Sequence, residues 1–425
     1  ITTCNMTVSY QGELVSQNRW ILLSFLLRWK GSIYQVIWPD LLLFSVLYLI
    51  ISLLYRFALG EDSKRTFELV CMYFENHGKL IPVSFVLGFY VNVIMTRWWD
   101  QFMAIPWPAP IAMRITANIS GKDERSRIIR RTLIRYVNLT YILTFRKISL
   151  MVKNRFPTLQ HIVDSGMMTN YERDIVEYYN DKTKIIYEWL PLIWITNIIS
   201  QALREKRIES DVSRQALMDD IERFRDKCAV ILRYDWISVP LMYTQVVTWA
   251  VYAYFVACIL GRQFLRSTPE SHKDKIDIFF PICTALQFIV YMGWLKVAQV
   301  LMNPFGDDED DFEINYLIDK NILVSYLMVD DLHEEYPELE KDSHWGIYPF
   351  YLPYTAACKK HMCLEPHKGS AEAVLPTKID GTVVEDIQIS VVEDSLRRRN
   401  KGPLEGNQEI GLTNYGMNDI PSVKI

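Results

Sequence analysis

One uncharged stretch constrains the fold of this chain more than any other feature. Between Lys79 and Arg97 the sequence LIPVSFVLGFYVNVIMT carries no charged side chain. At a rise of about 1.5 Å per residue, a helix of this length nearly crosses a hydrocarbon layer ~30 Å thick. The pattern predicts a membrane-spanning helix over residues 79–97, and the remaining chain has to be arranged around a bilayer.

The composition of this predicted helix specifies two different faces. Ile81, Phe85 and Phe89 recur every fourth residue and form a bulky ladder, while Ser84 and Gly88 form a row of small residues beside it. Small residues let another helix approach closely, and the ladder could then point either at a partner helix or at a symmetry axis. Ordinary helix–helix packing is the simpler interpretation, because apolar stripes usually face a core.

Three further segments are apolar and long enough to cross a bilayer, at residues 36–55, 236–261 and 278–296. Only Asp40 interrupts the first of them, and it lies near enough to one end to reach the interface. The 12 tryptophans and 24 tyrosines of the chain suit membrane interfaces. Basic residues before the first span favour a cytosolic N-terminus, and four spans return the C-terminus to the same side.

The segments outside these spans are polar. Residues 98–235 and 297–365 are predicted to form a large helical cytosolic part. Within it, the uncharged piece at 189–203 is too short for a comfortable span and is expected to be a buried helix. Residues 366–425 lose apolar periodicity, which is typical of a disordered tail. The first 19 residues are polar and the apolar run that follows is short, so no cleavable signal peptide is expected.

The most acidic part of the chain follows the fourth span. Asp307 to Asp311 together with Glu313 place six acids in seven positions. Calcium takes about six to eight oxygen ligands from carboxylates and carbonyls, which makes this run the best candidate for a metal site. The spacing of an EF-hand is absent, so a site would also need carbonyls from the preceding Asn-Pro turn or from another segment. A solvated acidic loop is the default interpretation.

A basic cluster lies in the predicted cytosolic part, between Lys122 and Arg135. Apolar residues are interspersed with the charges, as they would be along an amphipathic helix. A charged helix face is again the default interpretation. The functional alternative is an electropositive wall that concentrates anions near a pore or binds anionic lipid headgroups.

Several functional classes find no support. The net charge of -4 is too small to argue for a nucleic-acid partner. The seven cysteines are scattered without a CxxC pair, which indicates neither a disulfide framework nor zinc. The histidines never pair at ligand spacing, and neither a phosphate loop nor a nucleophile elbow is present, so the chain is not predicted to be an enzyme.

A series of motifs, spread over most of residues 6–357, resembles the bestrophins, a family of calcium-activated chloride or anion channels. The motifs are RWKGSIY at 28–34, IPVSFVLGFYV at 81–91, TRWW at 96–99, GKDE at 121–124, RRTLIRY at 130–136, YDWIS at 234–238, YTQVVT at 243–248, GRQFL at 261–265, GWLKVA at 293–298 and NPFGDDEDDFE at 303–313. The resemblance implies an all-α membrane protein with four transmembrane helices per subunit and a large helical cytosolic region. It further implies a homopentamer around one axial pore, with the plasma membrane as the expected location.

The resemblance also assigns roles to individual residues of the pore. The family's hydrophobic neck, which would act as the gate, corresponds to Ile81, Phe85 and Phe89. Its narrow cytosolic aperture corresponds to Val212. Ladders from several subunits around one axis would form an apolar constriction, and such a constriction closes by excluding water.

The same resemblance places a regulatory calcium ion in a clasp that includes part of the acidic run. The ligands would be the side chains of Asp308 and Asp311 and the backbone carbonyls of Val15, Val300 and Asn303. Chloride would be the permeant ion. Calcium bound at the clasp would bias a rearrangement of the second span that opens the neck.

Three functions are therefore compared. The first is a calcium-activated anion channel whose partners are further copies of the chain, the lipid bilayer and permeant anions. The alternative is a calcium-sensing membrane scaffold that binds partner proteins without conducting, in which the ladder serves only for packing. A secondary transporter ranks last, because such proteins are expected to carry charged residues near the midplane and these spans are nearly charge-free.

Overall fold

The computed structural model describes residues 10–15, 19–78, 80–184, 188–265, 280–308, 310–347, 352–355, 357 and 369. The chain divides into two compact units, Ile1–Glu338 and Leu339–Ile425. In the second unit the described residues include a turn at 343–346, where the Lys341 ammonium lies 5.7 Å from the centre of the Trp345 ring. Of the tail predicted to be disordered, 366–425, all residues except Gly369 lie outside the described part of the chain.

Every regular element among the described residues is helical, as the sequence predicts for an all-α protein. The first helices are α1 Gln11–Val15, α2 Ile21–Leu26, α3 Ile33–Leu53, α4 Glu61–Gly78 and α5 Val83–Ala104, with a π-helical turn at Leu54–Ala58 directly after α3. The next are α6 Ala109–Asn118, α7 Glu124–Ile148, α8 Leu150–Arg155, α9 Leu159–Asp164 and α10 Asn170–Thr183. The last are α11 Leu190–Arg204, α12 Asp211–Trp236, α13 Leu241–Gly261, α14 Ile282–Leu301 and α15 Ile314–Val329.

Three helices among the described residues are long and apolar enough to cross a membrane. They are α3 with its π-helical turn, α13 and α14. Helix α4 and the helical stretch Val83–Asn118, which contains α5 and α6, are long and apolar enough only as a pair, with a bend of 46° at the break between them. The span predicted at 79–97 therefore corresponds to α5, which begins after Pro82 and continues to Ala104. Proline suits this position because its backbone is preset for a helix start and it has no N–H group to leave unpaired.

The connection between the first two predicted spans is itself mostly helical. Helix α4 packs on α13 at a crossing of small residues, where a Cβ atom added to Gly261 would lie 2.7 Å from the backbone nitrogen of Glu75. A Cβ added to Gly78 would lie 3.3 Å from the Cβ of Ala257. The glycines therefore set how closely these two helices approach. Most charged residues of α4 lie in its first half, so the segment has no uncharged run long enough to be predicted as a span.

One apolar core lies between α3, α5, α13 and α14. Three rings at its centre, those of Phe44, Phe255 and Phe288, have centroids 4.7 to 6.0 Å apart. Near one end of this helix bundle, the Lys296 ammonium of α14 lies 3.2 Å from the Asp40 carboxylate of α3. The one acid within the first span is therefore neutralised by a neighbouring helix.

A second core is built around α7. Its residues Leu133, Val137 and Ile142 are fully buried, with α6, α11, α12 and α15 packed against the helix. Helix α11 buries Leu192 and Ile195 in this core, among other apolar residues. The uncharged piece at 189–203 is thus a buried helix, as its length predicts.

Candidate functional site

The two aromatic residues of the ladder, Phe85 and Phe89 on α5, point away from the core of their own subunit. The side chains of Phe85 and Phe89 are 65% and 60% exposed, and their rings meet edge to face with centroids 4.8 Å apart. Ile81 precedes the helix and is partly buried. On the opposite side of the same helix, Leu87 and Ile94 are completely buried. Ile81 packs against the core of its own subunit. Phe85 and Phe89 do not pack there, so their rings have to face another copy, lipid or an axis.

The exposed face of α5 continues past the ladder towards the end of the helix. Asn92, Thr96, Asp100 and Met103 are all exposed and recur at the three- and four-residue spacing of one helix face. The Thr96 hydroxyl donates a hydrogen bond of 3.0 Å to the Asn92 carbonyl oxygen. We call these four residues the lower stripe. The sequence interpretation stopped at the apolar part of the pattern, although the spacing alone indicated the continuation.

The acidic loop, residues 303–313, folds around one buried carboxylate. Asp311 is only 4% exposed, and its Oδ2 accepts a hydrogen bond of 2.8 Å from the backbone N–H of Asp308. The Asp311 N–H in turn donates to the Asp308 carbonyl at 3.2 Å. A Cβ added to Gly306 would lie 2.6 Å from Asp311 Oδ2 and 3.7 Å from the Asn303 carbonyl oxygen. The loop can close over this carboxylate because position 306 has no side chain.

The acidic loop shifts the pKa of the buried Asp311 carboxylate. Burial, together with the nearby charges of Asp308, Asp310 and Asp307, raises the pKa of Asp311 to about 6, although the hydrogen bond from the Asp308 N–H lowers it. A carboxylate held among like charges in a buried position favours a bound cation, since a cation stabilises its charged form.

A cleft of about 520 Å³ opens beside the acidic loop, between the start of α3 and the end of α14. Val300 and Asp308 both line it, together with Lys296 and Gln299. Val15, the other predicted backbone ligand from outside the loop, is not among the lining residues. It lies 81% exposed at the end of α1. The structure thus brings four of the five predicted clasp residues into one neighbourhood.

The oxygen atoms at this loop suit a hard cation. Among the residues that the structure describes, no group of three or more His, Cys, Asp or Glu side chains is placed to hold a metal ion. The predicted clasp uses only two carboxylates and takes its remaining oxygens from backbone carbonyls, a donor set that calcium accepts. The buried Asp311 carboxylate and the Asn303 carbonyl both lie within 4 Å of the place that a Cβ atom on Gly306 would take, so the loop holds both kinds of oxygen donor.

The loop is mechanically joined to α5. The ring of Phe312, one residue after Asp311, lies 5.3 Å from the ring of Trp98 and 5.3 Å from that of Phe102, both on α5. On its other side Phe312 contacts Phe305, whose ring centroid is 5.6 Å away. A change in the shape of the acidic loop therefore reaches the helix that carries the ladder.

The basic cluster forms ion pairs and hydrogen bonds with residues of the same chain. Arg127 and Arg131 both bind the Asp330 carboxylate, and Arg130 donates to the Val329 carbonyl at 3.0 Å. The remaining partners are Glu335 for Lys122, Glu205 for Arg125 and Glu172 for Arg135. The structure therefore favours the charged helix face over an electropositive wall.

Two of these partners show how strongly the charges are coupled. Hydrogen bonding to Arg127 lowers the pKa of Asp330 to about 2. Burial raises the pKa of Glu172, but hydrogen bonds from Arg135 and Tyr136 outweigh it and lower the pKa to about 2. Both carboxylates remain charged, and hold α7 to α15 and α10, throughout the physiological pH range.

Val212 lies in the first turn of α12 and is 78% exposed. The helix starts at Ser210, whose hydroxyl accepts the Ser213 N–H at 3.2 Å, and it buries Leu217 and Ile221 further along. The predicted aperture residue is thus, like the ladder, an apolar side chain with no place in its own subunit's core.

Comparisons with known proteins bear on this arrangement. A family model described as "Bestrophin, RFP-TM, chloride channel" matches residues 6–331. Among curated relatives, Bestrophin-3 of Homo sapiens is 44% identical over 86% of this chain and 54% of its own length. Bestrophin-2 of Mus musculus is 45% identical over 83% of this chain and 69% of its length. The chain therefore spans about half to two thirds of the length of these relatives.

Solved structures with a similar fold are more distant in sequence. A crystal structure of a bacterial bestrophin homologue from Klebsiella pneumoniae has a TM-score of 0.52 at 14% identity, and covers 69% of this chain and 98% of its own. A point mutant of that homologue gives a TM-score of 0.53 at 15% identity. At this level of identity the likeness shows a shared helical fold.

Proposed function

The chain belongs to the bestrophin family, and on that premise we propose that it forms a calcium-activated chloride channel with a hydrophobic gate in the membrane. The observation that carries the proposal is the outward-facing ladder on α5, a helix whose opposite face is fully buried. An exposed aromatic surface on a helix in the membrane core has to be covered by another component. Copies of the same ladder around an axis cover one another and form a pore at the same time.

Such a neck explains both closure and anion preference. An apolar ring a few ångströms wide excludes water and therefore ions, so the pore is closed when the ladders approach each other. The edges of Phe85 and Phe89 rings carry partial positive charge, and edges turned towards the axis tolerate an anion better than a cation. Within one subunit the two rings meet edge to face, with an interplanar angle of 64°.

The assembly proposed here is a homopentamer in the plasma membrane, with the N- and C-termini in the cytosol. Ile81, Phe85 and Phe89 of each copy form the neck, and Val212 of each copy forms a second narrow point on the cytosolic side. The pentamer number follows from the family resemblance. Support for an oligomer comes from Phe85, Phe89 and Val212, whose apolar side chains are exposed in the single subunit.

The clasp proposed for calcium consists of the Asp308 and Asp311 side chains with the carbonyls of Val15, Val300 and Asn303. When bound, the ion supplies positive charge that offsets the repulsion within the acidic loop. Residues of the loop would transmit a change in its conformation to α5. Asp311 accepts a hydrogen bond within the loop, and Phe312 contacts Trp98 and Phe102 of α5. Only a difference in affinity between closed and open states allows the ion to open the neck.

The test is current through purified protein in planar bilayers while free calcium is titrated on one side. Wild type is compared with Asp308→Ala combined with Asp311→Ala, and with Asp308→Asn, which changes an exposed side chain. Asp307→Ala, an exposed acid of the same loop outside the clasp, is the matched control. We expect anion current that rises with calcium in wild type and control, and that loses calcium dependence in both clasp variants.

Two outcomes would contradict the proposal in different ways. Assembled wild-type protein that passes no current at any calcium level would favour the membrane scaffold instead. Current that responds to calcium equally in wild type and clasp variants would retain the channel but remove the clasp.

A further inference from the structure

The lower stripe carries one feature that the hydrophobic neck does not use. At 100° per residue, Asn92, Thr96 and Asp100 all lie within about 60° of Phe85 around the axis of α5. Asp100 follows Phe89 by eleven positions, which places it about 16 Å further along the helix at 1.5 Å per residue. The same helix face therefore passes from aromatic rings to polar groups and then to a carboxylate.

The surroundings of Asp100 leave its charge uncompensated. Asp100 is exposed, and within the described part of the chain no ion pair or hydrogen bond engages its carboxylate. Arg97, the cation of α5, donates instead to the carbonyls of Tyr234 and Ile237. Its guanidinium also lies 5.1 Å from the centre of the Tyr234 ring. The Arg97 guanidinium is therefore bound at the connection between α12 and α13 and does not pair with Asp100.

We propose that Asp100 of each copy faces the ion pathway on the cytosolic side of the neck, and that the resulting ring of carboxylates slows the passage of anions. This inference rests on the proposed channel, since the axis is where the ladder faces. Asp100 would then be a specificity-determining residue, and the intrinsic preference of the neck for anions would be partly opposed by this ring.

Electrostatics predict how the ring behaves. Fixed charges of one sign in a narrow, low-dielectric passage raise the concentration of ions of opposite sign and lower that of like ions. The effect extends over the Debye length, ~10 Å at 0.1 M salt and ~3 Å at 1 M. The Asp100 ring should therefore restrict anion flux strongly in dilute salt and weakly in concentrated salt. A residue that merely supports the fold has no reason to show this dependence.

The experiment measures single-channel conductance and reversal potential of the calcium-activated current in wild type, Asp100→Asn and Asp100→Glu. Asp181→Asn, an exposed acid on α10 in the helical region, is the matched control. In dilute salt we expect Asp100→Asn to conduct anions at least about threefold better and to be more anion-selective. Asp100→Glu and the control should conduct like wild type. The ratio of the Asp100→Asn conductance to the wild-type conductance should fall towards one as salt rises to 1 M.

The outcomes separate this inference from the function on which it rests. Wild-type protein without any anion current contradicts the proposed channel and the inference together. A conducting wild type with unchanged conductance and selectivity in Asp100→Asn contradicts the inference alone. An increase that is equally large at every salt concentration also contradicts it, because the carboxylate would then act through the fold.

Discussion

The helices around α7 and the membrane helices differ in how much of their apolar surface is exposed. Around α7, apolar side chains are buried within the chain and the basic cluster finds its partners there, as in the pairs of Arg135 with Glu172 and Arg127 with Asp330. On the membrane helices, large apolar side chains such as Trp249 and Leu241 are at least 70% exposed. The apolar core of the first region is filled by side chains of one subunit. In the proposed channel, the exposed apolar side chains of the second region face lipid or further copies of the chain.

The difference shows where function resides in this molecule. Lipid can cover an apolar helix face without any specific partner, so exposure on the outer side of a membrane helix needs no further explanation. The ladder differs, because its exposed aromatic rings lie on one narrow face directly opposite the buried face of α5. Helix α5 therefore has one buried face and one exposed face, and substitutions on the two faces can be compared within this single helix.

The largest effect is expected from the two faces of α5. Leu87→Ala should lower the free energy of unfolding by about 3–4 kcal/mol, because the side chain is fully buried and leaves a cavity. Phe85→Ala should cost much less, since most of that ring is exposed in the subunit, but should raise current in the absence of calcium. Thermal unfolding in detergent and bilayer recording measure the two effects. Equal destabilisation by both substitutions would mean that the ladder is packing.

Glu172 tests how much the ion pairs around α7 contribute to the stability of that part of the protein. Glu172→Ala should lower the free energy of unfolding by about 3 kcal/mol, because it leaves the largely buried Arg135 guanidinium without its carboxylate. Thermal unfolding of the purified protein measures the loss. Glu335→Ala removes the exposed partner of Lys122 and should leave unfolding unchanged. Similar behaviour of the two variants would show that the ion pairs of this region are interchangeable.

The contact between α4 and α13 tests whether packing within the membrane bundle is equally specific. Gly261→Ala should lower the free energy of unfolding by about 2 kcal/mol, since the new methyl group would overlap the backbone of Glu75. Gly60→Ala is the matched control, because a Cβ atom at that position would meet nothing within 4 Å. Unfolding temperatures in one detergent compare the two variants. A tolerated alanine at 261 would indicate that α4 shifts freely on α13.

A pH titration refines the Glu172 test. The folded pKa of Glu172, about 2, lies below its ordinary value of 4.5, so its ion pair stabilises the fold above the ordinary value. That stabilisation is lost as pH falls from about 4.5 towards 2. The stability difference between wild type and Glu172→Gln should therefore be constant near neutrality and shrink in acid. A difference that grows in acid would contradict the assignment of the low pKa.

The smallest expected effect concerns ion preference at the neck. An apolar constriction removes part of an ion's hydration shell, so weakly hydrated anions should pass more easily. We expect thiocyanate and iodide to be more permeant than chloride, measured from reversal potentials under bi-ionic conditions. A clear preference for chloride would contradict a neck made of the ladder and would direct attention to polar residues elsewhere on α5.

Much of the fold and part of the candidate site could be predicted because they depend on local pattern. The length of apolar segments predicted α3, α13 and α14, and the short run at 189–203 predicted a buried helix. Helix α4 was not predicted because its apolar run, residues 69–74, is far too short for a span. The lower stripe escaped notice for a different reason, since polar residues at helical spacing usually indicate only a solvated face.

The partners of charged residues were beyond prediction. Arg127 and Asp330 are 203 positions apart, and Lys296 reaches Asp40 from a different membrane helix. Side-chain identity and spacing carry no information about such distant neighbours. The basic cluster could therefore be interpreted as an anion-attracting wall until the structure showed the carboxylates that occupy it.

By itself, the sequence determined that this protein is helical, that it crosses a membrane, and that one span carries an aromatic ladder beside small residues. These properties follow from hydrophobic length and from helical spacing, which act over a few turns of chain. Only the tertiary structure decided which face of α5 is buried and that Asp311 lies enclosed at the centre of the acidic loop. It also decided that Phe312 connects that loop to α5. Burial and contact are set by elements far apart in the chain, so they exist only once the helices have packed.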